Sequence, residues 1–362
     1  MLFFEIDSDI SVAETLPAEA YRSQSLHEQL IERVLAPSWQ WFGSASLLSE
    51  VGQAIPWSFL PGSVQEPLLL TRDTQEHLHC LSNTCTHRGS ILLDQPCQGR
   101  FLRCPYHNRS FELNGKFRAM PGFEDVKNFP TERDSLPRVP FENWQGFLFA
   151  ALQPSLKFAD WIAPIQERLG WVPWKEFQFS QERSRDYLLK ANWMLYVDNY
   201  LEGFHIPYVH PALAQVLDAD TYEVMPLPWG VLQIGFASDP AVPVFDFPSF
   251  HPDAGQRVAA YYFWLFPNLM LNLYPWGLSV NIILPQAVDQ TLVRYQTFLW
   301  KPEFLGQGAG ADPGLVEQED QQIIARVQAG IQSRLYHRGR YSPSQETGVH
   351  HFHRLLAQVL HA

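Results

Sequence analysis

The hydrophobic pattern of the chain is helical at first and then changes to short apolar runs. From Ser25 to Val34 apolar residues recur every three or four positions, which predicts a helix that ends before Pro37. From Trp39 to Leu152 the runs are short, alternating or wholly apolar, and are separated by Gly, Pro and Asn. This part is therefore predicted to form a small β-domain. A helical segment, Phe158 to Leu169, follows the boundary near Pro154.

The second half of the chain combines helices with aromatic-rich strands. Proline breaks and asparagines interrupt the apolar window Ala259 to Leu284, which is typical of two buried strands and not of a membrane span. After the glycine-rich linker Gly306 to Gly314, the Asp312-Pro313 pair predicts a helix to Leu335, and a capping box at Ser342 to Gln345 predicts a last helix to Leu360. Strands are predicted at Tyr222 to Met225, Val231 to Phe236, Tyr261 to Leu265, Val280 to Leu284 and Leu292 to Trp300.

These elements predict an α+β protein of two domains. An N-terminal helical segment, residues 1–37, belongs with the larger domain at residues 154–362, and the small all-β domain lies between them at residues 38–153. Helices packed on an antiparallel sheet are the simplest arrangement for the larger domain.

Composition narrows the class of protein. A chain of 362 residues with 46% apolar and 18% charged residues is globular, and a net charge of −12 opposes binding to nucleic-acid phosphates or anionic membranes. The segment Met1 to Ile10 carries acids and no basic flank, unlike a secretory signal, so we expect a cytoplasmic protein with no nucleic-acid or membrane partner. Four cysteines are too few for a disulfide framework, so their spacing is more informative.

One short segment has the residues of a metal site. Glu202, His205 and His210 lie within nine residues, and Glu202 and His205 would share a face of a helix that also carries Asp198. Pro207 is expected to interrupt that helix, so that His210 reaches the same point from an irregular segment. Two imidazoles and a carboxylate from elsewhere would form the facial triad that holds non-heme Fe(II). The alternative is a buried helix whose histidines only satisfy hydrogen bonds.

A second pattern lies in the β-domain. Cys85-Thr-His87 and Cys104-Pro-Tyr-His107 each offer one thiolate and one imidazole, which is typical of a [2Fe–2S] cluster whose two histidines share one iron. A Cys2His2 zinc site is the alternative, although zinc loops usually pair like ligands. Together the two patterns describe one centre that stores an electron and another that binds dioxygen and requires electrons.

These motifs resemble the Rieske non-heme iron oxygenases, α subunit, of the aromatic-ring-hydroxylating dioxygenase superfamily. The resemblance covers residues 25 to 360, and within the family the sequence is most similar to the choline, glycine betaine and carnitine monooxygenase type. It implies a small all-β Rieske [2Fe–2S] domain and a catalytic non-heme iron domain. The matching segments occur in the family's order: Asn83 to Gly89, Cys104 to His107, Asn199 to His210 and Val327 to Gly330.

The resemblance also implies roles for individual residues. Glu202 would be the bridge that links His205 to His107 of a neighbouring subunit, and the catalytic residues would be Glu202, Asp198 and Asn199. Asp320 would be the third iron ligand, with Glu317 and Glu319 as alternatives within one helical turn. The cluster would be held by Cys85, His87, Cys104 and His107, and the mononuclear Fe(II) by His205, His210 and Asp320.

Some residues depart from the family pattern or lie outside it. Asn108-Arg109 replaces the usual Gly-Trp; asparagine tolerates a positive φ, and the effect of Arg109 is left open, with altered docking of a subunit or redox partner as one candidate. Cys80 and Cys97 are expected to be buried or surface thiols. We assign His350, His351 and His353 to the surface or to an interface.

The function implied by the resemblance is that of a terminal oxygenase. It would use the cluster and the iron to activate O2 and to hydroxylate or N-demethylate a small organic substrate, with a quaternary amine as first choice and an aromatic compound, by ring hydroxylation or O-demethylation, as the alternative. The aromatic window Tyr261 to Trp276 would form a cage for the ammonium group or, equally, pack the core. Because no nucleotide-binding motif is present, electrons would come from NAD(P)H through a separate reductase, with or without a ferredoxin.

The family also implies a homotrimer. An electron carrier with a vestigial iron site and a zinc-stabilised interaction module are the competing classes.

Overall fold

The computed structural model describes residues 4–218 and 220–361. The chain divides into a small unit, Ala36–Ser155, and a large unit formed by Met1–Leu35 and Leu156–Ala362. The boundaries predicted from the sequence differ from these by two residues each, at 38 in place of Ala36 and at 153 in place of Ser155.

The small unit consists of three antiparallel sheets with the orders β1-β10-β9, β4-β3-β2-β5 and β6-β7-β8. Its core includes Leu69, Leu81 and Phe111 together with the two thiols Cys85 and Cys104. The strands are β1 (Gln40–Ser44), β2 (Gln53–Phe59), β3 (Glu66–Arg72), β4 (Leu78–Ser82), β5 (Cys97–Gln98), β6 (Phe101–Arg103), β7 (Ser110–Glu112), β8 (Phe117–Ala119), β9 (Phe141–Trp144) and β10 (Phe147–Ala150).

The large unit has one seven-stranded antiparallel sheet in the order β11-β17-β16-β15-β14-β13-β12. Its strands are β11 (Gln178–Leu189), β12 (Glu223–Leu227), β13 (Gly230–Phe236), β14 (Val258–Leu265), β15 (Leu269–Tyr274), β16 (Gly277–Ala287) and β17 (Gln290–Leu299). Its helices are α1 (Gln24–Leu30), which continues as a π-helical turn at Ile31–Leu35, α2 (Phe158–Leu169), α3 (Trp193–Tyr200), α4 (Ile206–Val209), α5 (Leu213–Val216), α6 (Pro313–Gly330) and α7 (Thr347–His361).

Helices α3, α6 and α7 pack on one face of this sheet. Residues directly opposite each other on neighbouring strands point to the same face, and Val231, Trp264 and Met270 form such an apolar row across three strands. This row lies in the same buried core as Trp193 of α3 and Phe352 of α7. The apolar row therefore fixes the helices at this end of the sheet. The prediction of an α+β fold with helices on an antiparallel sheet is confirmed.

Several element boundaries differ from the sequence predictions. The window Ala259 to Leu284 contains three strands and not two, because the Phe266–Asn268 and Pro275–Trp276 segments both turn the chain. Helix α6 ends at Gly330 and not at Leu335. The capping box at Ser342 does not open α7, since Glu346 accepts from the Ser342 backbone in a turn and the helix begins at Thr347.

Within residues 4–218 and 220–361, each helix is too short or too polar to cross a bilayer.

Candidate functional site

Two histidines and one aspartate of the large unit converge on a single point. His205 Nε2 lies 3.1 Å from His210 Nε2, and Asp320 Oδ1 lies 3.0 Å from His210 Nε2 and 3.5 Å from His205 Nε2. We call these three residues the His–His–Asp cluster. Three ligand bonds of about 2.1 Å at right angles would separate the ligand atoms by about 3 Å, so the arrangement fits a metal ion bound on one face.

The local fold explains how the two histidines meet. Helix α3 ends at Tyr200, so Glu202 and His205 lie after the helix and not on it as predicted. Pro207 does not break a helix but lies in the first turn of α4, where its missing N–H needs no partner. His210 follows the last residue of α4 and is 1% exposed, so the short helix carries its ring back towards His205.

Two glutamates orient the imidazoles. His205 Nδ1–H donates to Glu202 Oε1 at 2.7 Å, and Glu202 Oε2 also accepts from the His205 backbone N–H at 2.9 Å. His210 Nδ1–H donates to Glu319 Oε2 at 2.7 Å. A carboxylate at Nδ1 of each ring turns Nε2 towards Asp320, which is the usual outer arrangement of metal-binding histidines.

Glu317 has a different environment from Asp320 and Glu319. It is 1% exposed and accepts hydrogen bonds from Gln321, from Tyr196 at 2.6 Å and from Tyr295. Burial raises the pKa of Glu317 to about 7, although the hydrogen bonds act in the opposite direction. Of the three acids considered from the sequence, Asp320 is therefore the one whose oxygen lies with the two imidazole Nε2 atoms.

Asp198 and Asn199, predicted to be catalytic, are placed differently by α3. Asn199 lines the cavity beside the cluster. Asp198 accepts from Tyr21 at 2.7 Å and from His353 Nε2 at 2.8 Å, and the Tyr341 hydroxyl donates to His353 Nδ1 at 2.6 Å. Through these hydrogen bonds Asp198 holds α3 against Tyr21 and α7, and it is not among the described residues that line the cavity.

The assignment of the C-terminal histidines to the surface is wrong for two of them. His353 is 1% exposed, and its two ring nitrogens are hydrogen-bonded to Asp198 and Tyr341. His350 is also buried and bonds to the Asp7 backbone carbonyl. The sequence could not show this, because their partners lie far away along the chain.

A cavity lies beside the His–His–Asp cluster, and a polar row of the sheet forms its floor. This row, which runs across five strands, lies two residues further along the strands than the apolar row, on the same face. We call it the polar row: Gln233, Tyr262, Asn272, Ser279 and Thr297. The first four line the cavity together with six tyrosines in all: Tyr196, Tyr200, Tyr222, Tyr262, Tyr274 and Tyr295.

Hydrogen bonds hold the polar groups of this cavity in place. Tyr200 donates to Asn272 Oδ1 at 2.8 Å, and Gln233 Nε2 donates to the Tyr200 carbonyl at 2.6 Å. The predicted aromatic window supplies Tyr262 and Tyr274 to the wall, whereas Tyr261 is fully buried in the core. Buried amides such as Asn272 within apolar strands are the signal in the sequence that could have located this cavity.

In the small unit the four predicted cluster residues form a second site. Cys85 and His87 lie in the loop between β4 and β5, and Cys104 and His107 lie between β6 and β7. The two imidazole rings are 4.8 Å apart, and each Nδ1 is buried without a hydrogen-bond partner among the described residues. Two buried thiols and two unpaired buried nitrogens are what a Rieske cluster requires of its ligands. The residues present therefore fit the [2Fe–2S] group.

Arg109, for which altered docking was one candidate effect, has its side chain in the core of the small unit. Arg109 is 1% exposed and donates to the carboxylate of Asp134 at 2.8 Å. Its guanidinium also lies over the ring of Phe117, 4.8 Å from the centroid. Asn108 has a φ of 61°, as expected for a residue that replaces glycine in this loop.

Comparison with known proteins shows the same two parts. Residues 59–130 match the Rieske [2Fe-2S] domain, and residues 177–362 match the ring hydroxylating alpha subunit, catalytic domain. The chain is 30% identical to the carnitine monooxygenase oxygenase subunit of Escherichia coli strain K12 over 373 residues, 96% of this chain and 94% of that protein. It is 27% identical to a chloroplastic choline monooxygenase of Beta vulgaris over 378 residues, 99% of this chain and 80% of that protein.

Solved structures share the fold. A quaternary ammonium Rieske monooxygenase in complex with L-carnitine matches with a TM-score of 0.80 at 23% identity, covering 99% of both chains. Naphthalene 1,2-dioxygenase from Rhodococcus sp. matches with a TM-score of 0.74 at 16% identity, covering 96% of this chain and 94% of that chain. The predictions of family, cofactors and oxygenase activity are confirmed. The chain belongs to the ring-hydroxylating α-subunit family of Rieske oxygenases, which carry a [2Fe–2S] domain and a catalytic domain that binds mononuclear iron and which take electrons from a separate reductase.

Proposed function

We propose that this oxygenase hydroxylates or N-demethylates a small quaternary amine. The observation that carries the proposal is the cavity beside the His–His–Asp cluster. It has six tyrosines, and the described residues that line it include Glu202 and Asp320 but neither lysine nor arginine. Tyrosine faces attract an alkylammonium group by about 0.5 to 2 kcal/mol. A cation would therefore be favoured there over a neutral aromatic ring.

The names of the relatives support the same substrate class. Two of them are described as monooxygenases of carnitine and of choline, and one solved structure holds L-carnitine. In the proposed reaction one atom of O2 enters a C–H bond next to nitrogen and the other leaves as water, with two electrons supplied through the reductase and two protons taken from solvent. The hydroxylated N-methyl or N-methylene carbon then loses its hydroxyl proton and its C–N bond, which releases an aldehyde and a tertiary amine.

Each residue of the site has a proposed role in this reaction. His205, His210 and Asp320 would hold the iron, which supplies the activation of dioxygen when bound. Glu202 and Glu319 would keep a proton on Nδ1 of each imidazole, and so keep Nε2 free as a ligand. Asn199 and the polar row would orient the substrate in the cavity.

Electron delivery is proposed to cross between subunits of a homotrimer. The four residues Cys85, His87, Cys104 and His107 would hold the cluster, and Glu202 would accept a hydrogen bond from the partner subunit's His107. One solved relative is described in terms of inter-subunit electron transfer, which supports this arrangement. An NAD(P)H-dependent reductase, with or without a ferredoxin, would supply the electrons, and a cytoplasmic location remains a prediction of the sequence.

The test is oxygen transfer with labelled dioxygen. The purified trimer or monomer with its reductase is supplied with 18O2 and, separately, with choline, glycine betaine, carnitine, γ-butyrobetaine and simple aromatic compounds. We expect substrate-dependent oxygen uptake and aldehyde formation with at least one of the amines. Labelled hydroxyl on an aromatic ring, with no uptake for any amine, would overturn the proposal in favour of ring hydroxylation.

A further inference from the structure

We propose that a second cavity, next to the first, binds a carboxylate of the substrate through Arg183 and Arg185. The inference rests on the proposed function and sharpens it: the preferred substrate is a zwitterion whose ammonium group lies among the tyrosines and whose carboxylate lies at the two arginines. The second cavity is lined by both arginines.

The two cavities share one floor. Ser279, Tyr295 and Pro313 line both of them. The polar row continues from Ser279 in the first cavity to Thr297 in the second, since these two residues are directly paired across β16 and β17. A substrate lying along the row therefore passes from one cavity to the other without crossing the sheet.

Sheet geometry brings both arginines to this end of the row. Arg185 on β11 is paired with Tyr295 on β17, so their side chains lie on the same face. Arg183 lies at the irregularity of the β11 pairing, where its backbone carbonyl accepts from the Thr297 hydroxyl at 3.0 Å. Ser180 is the β11 residue paired with Thr297, and the irregular backbone after it brings Arg183 beside Thr297, where Arg183 lines the same cavity.

The charges of the second cavity are suited to an anion. The acid that lines it, Asp312, already caps α6 by accepting from the Leu315 N–H at 3.0 Å. Tyr187, two residues from Arg185 on β11, lines the same wall; burial raises the pKa of Tyr187, and the charge of Arg185 acts in the opposite direction. Two exposed guanidinium groups therefore face one engaged carboxylate, whereas the described residues that line the first cavity include acids but neither lysine nor arginine. Guanidinium groups bind carboxylates by charge-assisted hydrogen bonds.

The length of the row selects among zwitterions. Neighbouring strands are about 4.8 Å apart, so Asn272 on β15 and Thr297 on β17 are separated by roughly 10 Å at the backbone. A trimethylammonium and a carboxylate joined by several methylene groups span such a distance better than the single methylene of glycine betaine. Choline, which has no anionic group, would leave the arginines without a ligand.

The experiment compares two probes of equal length, γ-butyrobetaine and 4-hydroxybutyl-trimethylammonium, which has a hydroxymethyl group in place of the carboxylate. Binding to the isolated full-length oxygenase is measured by calorimetry, for the wild type and for the double variant Arg183→Gln and Arg185→Gln. Loss of one or two charge-assisted bonds predicts 10- to 100-fold weaker binding of γ-butyrobetaine. Binding of the neutral-ended probe should change by less than about threefold.

Arg294→Gln is the matched control, because Arg294 lies beside Tyr295 on β17 but pairs with Asp186 on the opposite face, at 3.0 Å. It should alter neither probe. Equal weakening of both probes by the double variant, or no weakening of either, overturns the carboxylate site while leaving the quaternary-amine proposal in place. If the wild type binds neither probe, both the proposed function and the carboxylate site are overturned.

Discussion

Arg109 offers a test of how the cluster loops of the small unit are held. In place of the tryptophan common in the family, this chain buries an arginine that donates to Asp134 twice, at 2.8 Å to the carboxylate and at 3.0 Å to the carbonyl. Its guanidinium also lies 4.8 Å from the centroid of Phe117 and 5.5 Å from that of Phe129. Replacement by methionine keeps an unbranched side chain but removes the charge, and leaves Asp134 without its ion-pair partner, although Thr131 still donates to the carboxylate.

The expected loss follows from the burial of the pair. Breaking a buried ion pair by removing one partner costs about 3 to 5 kcal/mol. Here the arginine side chain is 2% exposed but that of Asp134 is 21% exposed, so water can solvate the carboxylate that is left behind. Arg109 Nε is buried without a partner among the described residues, so its removal also offsets part of the cost. We therefore expect a loss of about 2 to 3 kcal/mol in the free energy of unfolding of this unit. With an m-value of about 1.5 kcal/mol/M, the urea midpoint falls by about 1.3 to 2 M.

The assay is a urea titration of the complete, cluster-loaded protein, followed by the visible circular dichroism of the cluster. Arg118→Met is the control, because Arg118 on β8 also pairs with a carboxylate, Glu112 at 2.8 Å, and also lies over a ring, but its side chain is 49% exposed. A surface pair contributes about 0 to 1 kcal/mol, so this midpoint should move by less than about 0.7 M. Equal midpoints for the two variants would refute the reasoning.

Three further predictions concern the large unit. Glu202→Gln, loaded with excess iron to offset the lost hydrogen bond to His205, should hold about three irons per chain by elemental analysis but lose turnover, since it removes the proposed bridge; turnover near that of wild type would contradict this role. Glu319→Gln should weaken iron binding by about 10- to 100-fold in a metal titration, whereas the exposed Glu303→Gln should not, and equal affinities would show that Glu319 does not orient His210. Burial raises the pKa of Glu317 from 4.5 to about 7, so the folded protein binds a proton at this carboxyl more tightly than the unfolded chain does. The tighter proton binding stabilises the folded protein fully below pH 4.5, and this stabilisation is lost as the pH rises to 7. Glu317→Gln should flatten the melting temperature over that pH window, and an unchanged slope would count against the shifted pKa.

Local spacing was sufficient to identify the parts of the site that lie close together in the sequence. The Cys-x-His and Cys-x-x-His loops, and the pair His205 and His210, are recognisable because each ligand lies a few residues from the next. Asp320 is 110 residues from His210 and was suggested by resemblance alone. Glu319 was considered only as a ligand, since nothing in a linear sequence shows which imidazole nitrogen a carboxylate will meet.

The remaining differences have tertiary causes. The polar row depends on the register of five strands, and a shift of one residue in any strand would turn its side chain to the other face. The sequence shows that Asn272 is polar within an apolar run, but not that it lies opposite Ser279. Likewise, Arg109 is charged and reads as a surface residue until the rings that cover it are placed by the fold.

The arrangement of the polar row suggests how the substrate specificity of this enzyme could be altered by design. Each member comes from a different strand, so one substitution changes the cavity floor at one step of about 4.8 Å and leaves the other steps alone. On the proposal above, an apolar residue at Ser279 or Thr297 would shorten the polar part of the cavity floor, and a new charge at either position would move the point at which an anionic group of the substrate binds. Amines of different chain length could then be selected by substitutions on one strand at a time, without changing the His–His–Asp cluster.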